Sequence, residues 1–147
     1  MTAATLALAV PAFADNSTST VIQTNSGNAA TVDQTGSIAG ANSTVDQSGA
    51  NNEAFVTANL TQDTSTLQLL SSSYIEQIGD DNNASVTQYD DAQDSTITQV
   101  SDLNTANVTQ GDQTLALTDE SYGNTSSILQ GGLGGHFAEV SQSGLQN

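Results

Sequence analysis

The stretches "QIGDDNNASVTQ" (Gln77–Gln88) and "QVSDLNTANVTQ" (Gln99–Gln110) place the same residue types at the same spacing. With the first Gln as position 0, both carry Asn at +5, Ala at +7, Val at +9 and Gln at +11. Working outward, the template Q-x-G-x-x-N-x-A-x-V-x-Q recurs along the chain. Gln77, Gly79, Asn82, Ala84, Val86 and Gln88 fit it fully, and Gln99, Asn104, Ala106, Val108 and Gln110 fit with Ser101 for Gly. Gln23, Asn28, Ala30, Val32 and Gln34 fit with Asn25 for Gly; Gln47, Gly49, Asn52, Ala54 and Val56 fit with Ala58 for the last Gln. Asn124, Ser126, Ile128 and Gln130 read as the end of a degenerate fifth copy opening at Asp119, and Gln142, Gly144 and Asn147 as the start of a sixth.

A second pattern, of period two, leads into each opening Gln. It runs Ser19-Val21-Gln23, Ser43-Val45-Gln47, Ser73-Ile75-Gln77 and Ser95-Ile97-Gln99, then Leu115-Leu117-Asp119 and Ala138-Val140-Gln142. Alternation of this kind predicts a strand with one face in and one face out. Each unit is therefore strand, short turn, strand, with units at about 17–34, 41–58, 71–88, 93–110 and 113–130 and a partial unit at 136–147. Between Ala58 and Ser71 the alternation continues through Leu60, Gln62, Leu67 and Leu69. This predicts both strands lengthened around a turn at Asp63–Thr66; a loop insertion is the alternative.

A strand–turn–strand of this size does not hold itself together, but stacked copies do. The predicted fold is all-β: a β-solenoid of stacked repeats in two facing parallel sheets, with equivalent strands ~4.7–4.8 Å apart. Marked residues then form columns. Amides at Gln23, Asn28, Gln34, Gln47, Asn52, Gln77, Asn82, Gln88, Gln99, Asn104, Gln110, Asn124, Gln130, Gln142 and Asn147 are expected to bond copies of themselves along the stack. Small and β-branched residues fill the thin space between the sheets: Val21, Ala30, Val32, Val45, Ala54, Val56, Ile75, Ala84, Val86, Ile97, Ala106, Val108, Leu117, Ile128 and Val140.

Composition narrows the function. The 147 residues include no Lys or Arg against 16 Asp plus Glu, a formal charge of −16. Nothing is available to neutralise phosphates, which argues against nucleic-acid binding, and an anionic membrane would repel the chain. With no Cys there is neither disulfide nor thiolate chemistry. Polar, acidic composition alone would suit a disordered chain; the fixed period argues against that. The apolar run "TLALAVPAFADN" ends in Ala12-Phe13-Ala14, an A-x-A cleavage pattern. Residues 1–14 thus read as a secretory signal remnant without its positive start, leaving 15–147 as the working chain outside the cytoplasm.

The pattern S-x5-Q-x-G-x2-N-x-A-x3-Q, which "STITQVSDLNTANVTQ" and "SYIEQIGDDNNASVTQ" match closely from the first Gln onward, resembles the curlin repeat of bacterial curli fibres. The resemblance spans residues 17–147. It implies a subunit secreted through the outer membrane that polymerises with itself into extracellular functional amyloid, supporting biofilm, adhesion and surface colonisation. The implied partners are further copies, a nucleating minor subunit and an outer-membrane secretion apparatus; no cofactor is implied. The chain resembles the major subunit more than the minor nucleating one, which is the alternative.

Other chemistry is thinly supported. The single His, His136, lacks the partners a triad or zinc site requires, so no catalytic or metal residue is assigned. It falls in register with inward columns. Asp80-Asp81 and Asp90-Asp91 suit solubilising charge at turns better than Ca²⁺. An ice-binding solenoid would need flat Thr arrays. The outward sets Thr20, Thr44, Tyr74, Thr96, Ala116 and Thr18, Asn42, Ser72, Asp94, Thr114 are broken by Tyr74 and Asp94. Asp46 and Glu76 fall in one outward column, where like charges repel.

Overall fold

Alternation of Ser, Val or Ile, and Gln along the chain produces strands whose every second side chain points between two sheets. The computed structural model describes residues 17–34, 40–59, 71–89, 92–111 and 123–144. Within them the strands are β1 Thr18–Gln23, β2 Ala29–Asp33, β3 Ala41–Gln47, β4 Glu53–Asn59, β5 Ser71–Gln77, β6 Asn83–Tyr89, β7 Asp94–Gln99, β8 Thr105–Gln110, β9 Thr125–Gln130 and β10 Phe137–Gln142. Odd strands form one five-stranded sheet in the order β1-β3-β5-β7-β9; even strands form the other, β10-β8-β6-β4-β2. Every pairing is parallel. The fold is an all-β stacked solenoid, each odd–even strand pair making one rung.

In register, Val21, Val45, Ile75, Ile97 and Ile128 stack in the first sheet. Ala30, Ala54, Ala84, Ala106 and Ala138 stack in the second, beside Val32, Val56, Val86, Val108 and Val140. The interior rungs bury these side chains completely or almost so, whereas Val21, Ala30, Val32, Ala138 and Val140 at the two ends are only partly covered. An aliphatic core this thin works because each residue touches its equivalents above and below as well as the facing sheet.

The turn inside each rung repeats its geometry. The residue just before the +5 position has a left-handed backbone in every rung: Gly27, Asn51, Asp81, Leu103 and Gly135. Gly, Asn and Asp suit that conformation and Leu does not. Gly49 meets a different demand. A Cβ there would lie 1.9 Å from the carbonyl oxygen of Gly79 in the next rung, so the turns stack too closely for a side chain.

The last rung departs from the sequence reading. Ser126, Ile128 and Gln130 do not close a unit spanning 113–130. β9 pairs with β7 in the first sheet, aligning Ser126 with Ser95, Ile128 with Ile97 and Gln130 with Gln99. Gln142 does not open a sixth unit, because β10 pairs with β8 and aligns Gln142 with Gln110. Rung five is thus β9–β10. Its turn is one residue longer: Gln99 and Gln130 stand 31 apart, whereas Asn104 and His136 stand 32 apart. The run Gly131–Gly135 supplies the extra length, with positive φ at Gly132, Gly134 and Gly135. The outward columns change accordingly: Ser127 follows Thr96 and Thr125 follows Asp94. Asn124 moves out of the asparagine column, and its main-chain carbonyl accepts the Asp94 N–H (2.9 Å) in the first sheet. The signal remnant, the 60–70 lengthening, Ala116, Thr114, Leu117 and Asn147 lie outside the described residues.

Candidate functional site

The site is a set of columns running along the stack. In the first sheet each glutamine amide donates to the next: Gln23 Nε2 to Gln47 Oε1 (2.7 Å), Gln47 to Gln77 (2.8 Å), Gln77 to Gln99 (2.9 Å) and Gln99 to Gln130 (2.9 Å). The second N–H of each amide crosses to a main-chain carbonyl of the other sheet: Gln47 to Ala29, Gln77 to Glu53, Gln99 to Asn83 and Gln130 to Thr105. Gln47, Gln77 and Gln99 have no exposed surface. A buried amide is costly unless bonded. The stack bonds both N–H groups of each of these three, so one column joins rung to rung and sheet to sheet.

The second sheet's glutamine column is interrupted. Gln88 Nε2 donates to Gln110 Oε1, and Gln110 to Gln142, each at 3.1 Å. Ala58, aligned with Gln88, carries no amide. Gln34 instead donates to Ala41 O (3.0 Å) and Ser43 Oγ (3.1 Å).

The asparagines act differently from the self-pairing expected of them. Asn28 Oδ1 accepts the main-chain N–H of Asn52 (2.9 Å), Asn52 that of Asn82 (2.9 Å), Asn82 that of Asn104 (2.8 Å), and Asn104 that of His136 (3.1 Å). Their short side chains reach the next rung's backbone rather than its amide. Asn52 and Asn82 each bury an Nδ2 without a hydrogen-bond partner, a cost these rungs carry. His136 takes the asparagine's place in the last rung, its side chain exposed, and offers no amide oxygen.

Several contributors were not apparent from the repeat. Asp80 Oδ1 accepts Ala50 N–H (2.7 Å) and Asp102 Oδ1 accepts Asp80 N–H (2.9 Å), so these turn carboxylates bind adjacent rungs. Their constant two-residue offset from Asn82 and Asn104 was the available signal. Ser73 Oγ donates to Ser43 Oγ at 3.1 Å, and Gln93 N–H to Ser71 Oγ at 3.2 Å. On the outer face Asp46 aligns with Glu76, while Glu53 accepts a bond from Asn83 Nδ2 at 3.0 Å. Burial, then Glu76, then Asp46 push the Tyr74 phenol above its usual value. Among the described residues no group of three or more His, Asp or Glu gathers as a metal site would require.

Such an arrangement leaves the ends of both sheets unpaired. Among the described residues β1, β2, β9 and β10 each pair on one side only. Their other edges present a row of main-chain donors and acceptors, a template for another strand. Residues 40–89 match the model of the curlin associated repeat. No curated protein and no solved structure matches the chain.

Proposed function

We propose that this chain, which carries curlin associated repeats over residues 40–89, is a structural subunit of extracellular curli-type fibres. It acts by end-to-end cross-β stacking, in the major rather than the nucleating role, and supports biofilm matrix, adhesion and surface colonisation. A nucleating minor subunit and an outer-membrane secretion apparatus are its further partners. The observation carrying this reading is the unbroken glutamine column from Gln23 to Gln130, whose bonding rule has no built-in stopping point. The absence of Lys and Arg fits a polymer whose like-charged monomers stay apart until they stack. Ice binding is disfavoured because Tyr74 and Asp94 interrupt the outward threonine columns.

Fibre diffraction tests the reading. Concentrated protein should give a meridional reflection at ~4.7–4.8 Å and thioflavin-positive fibres. Protein that stays monomeric and gives no such reflection rules it out.

A further inference from the structure

One turn residue works against its own fold. In the left-handed column Gly27–Asn51–Asp81–Leu103–Gly135, the fourth rung holds leucine at a φ of 61°. A bulky side chain is strained there, and Leu103 gains no burial in return, being 65% exposed. The next rung adds two more apolar side chains. Leu133 sits in the lengthened Gly131–Gly135 turn and is fully exposed; Phe137, the first residue of β10, is 67% exposed. The place of Phe137 is taken by Ala29, Glu53, Asn83 and Thr105 in the other rungs, so this apolar corner belongs to rungs four and five. Carboxylates border it. Asp81 stands one rung away in the column of Leu103, and Asp102 precedes Leu103 in the chain. Glu139 shares the outer face of β10 with Phe137.

We propose that this corner docks a cationic amphipathic segment of another protein. Its aliphatic or aromatic side chains lie on Leu103, Leu133 and Phe137, and its Lys or Arg side chains face Asp81, Asp102 and Glu139. Charge selects the occupant. The chain contains no Lys or Arg, so neither a second copy nor a remote stretch of the same copy supplies the cation. A second copy would also set these carboxylates against their own equivalents, which repel. The backbone at the corner is already committed to the stack: Leu103 N–H donates to Asp80 O and Gly135 N–H to Asp102 O, each at 2.9 Å. Docking therefore proceeds through side chains and not by adding a strand. The carboxylates steer the approach and the apolar contact holds the segment in place. All six residues come from one copy, so the site is complete without fibre formation.

A short synthetic peptide of alternating leucine and lysine, carrying a fluorophore, is the probe. It is titrated with freshly dissolved full-length chain and followed by fluorescence anisotropy. Binding should weaken roughly five- to tenfold for Leu103→Asn and for Leu133→Ser, and about two- to threefold for Asp81→Asn. Ile22→Ser, at an exposed apolar position on rung one, should bind as the unaltered chain does. Leu103→Asn also separates docking from folding. Asparagine suits the left-handed backbone, as Asn51 does, so this variant should withstand more denaturant while binding less peptide. Leu133 has no burial to lose, so Leu133→Ser leaves the fold intact. Variants at 103 and 133 that bind as tightly as the unaltered chain overturn the proposal. A serine–lysine peptide that binds as tightly as the leucine–lysine one does the same, since it reduces the effect to general attraction between opposite charges. Lateral self-association of the chain that Leu103→Asn with Leu133→Ser abolishes makes a second copy the occupant, and overturns it too.

Discussion

The two sheets share strand length, direction and register, yet they are not equivalent. The first has an unbroken glutamine column inside and a like-charged pair, Asp46 over Glu76, outside. The second has a glutamine column broken at Ala58 inside and a compensated pair, Glu53 with Asn83, outside. The first sheet thus combines the stronger internal bonding with the less favourable surface. Attraction along the stack and repulsion along it occupy opposite faces of the same strands, so either can be changed without the other.

The largest expected effect separates the two columns. Gln77→Ala strips Gln47 of its acceptor and Gln99 of its donor, leaving two buried polar groups unpaired at about 1–3 kcal/mol each. Gln88→Ala removes only the donor to Gln110 within its column, because Ala58 already ends the column above it. Denaturant unfolding should show Gln77→Ala losing roughly twice as much stability; equal losses would erase the distinction between the sheets. Next in size, Ala58→Gln should restore the second column and raise stability by about 0.5–1.5 kcal/mol, with the gain abolished when combined with Gln88→Ala.

The outer faces give a smaller contrast. Glu76→Gln relieves the stacked pair and should stabilise by up to about 1 kcal/mol, shrinking in 1 M salt where the Debye length is about 3 Å. Glu53→Gln should do nothing or cost a few tenths of a kcal/mol. Lag times of fibre formation should shorten for the first and not for the second. The smallest effect belongs to Tyr74. Its phenol is raised in the folded state, so its contribution is fully present below the unfolded value of about 10 and lost as pH rises through the folded value. Stability should therefore fall above about pH 10, and Tyr74→Phe should flatten that part of the pH profile.

Fixed spacing carried the fold class and the positions of rungs one to four, because a column repeats only if the turn between its strands keeps its length. Rung five escaped the same reading for a physical reason. Small-x-Ile-x-Gln suits either strand of a unit, so "SSILQ" resembles both "STITQ" and "ASVTQ". Only the pairing of Ile128 with Ile97 tells which. The extra residue in the Gly131–Gly135 turn then hid Gln142 from a template of fixed length. The partner of each asparagine was not legible either, since a side-chain oxygen that reaches a backbone N–H leaves no mark in the repeat. Nor were the carboxylate bonds of Asp80 and Asp102, which look in sequence like ordinary turn charges.

The spacing between equivalent glutamines of the first sheet is 24, then 30, 22 and 31 residues. Nearly all this variation falls after the even strand of a rung; the turn inside the rung changes once, by a single residue. One flank of the molecule keeps its dimensions to within a single residue and the other absorbs the rest of the variation. A foreign peptide grafted after Asn59, or after Gly111, would then leave both sheets in register. A polymer of such subunits would display that peptide along one side at a regular interval, as a patterned filament.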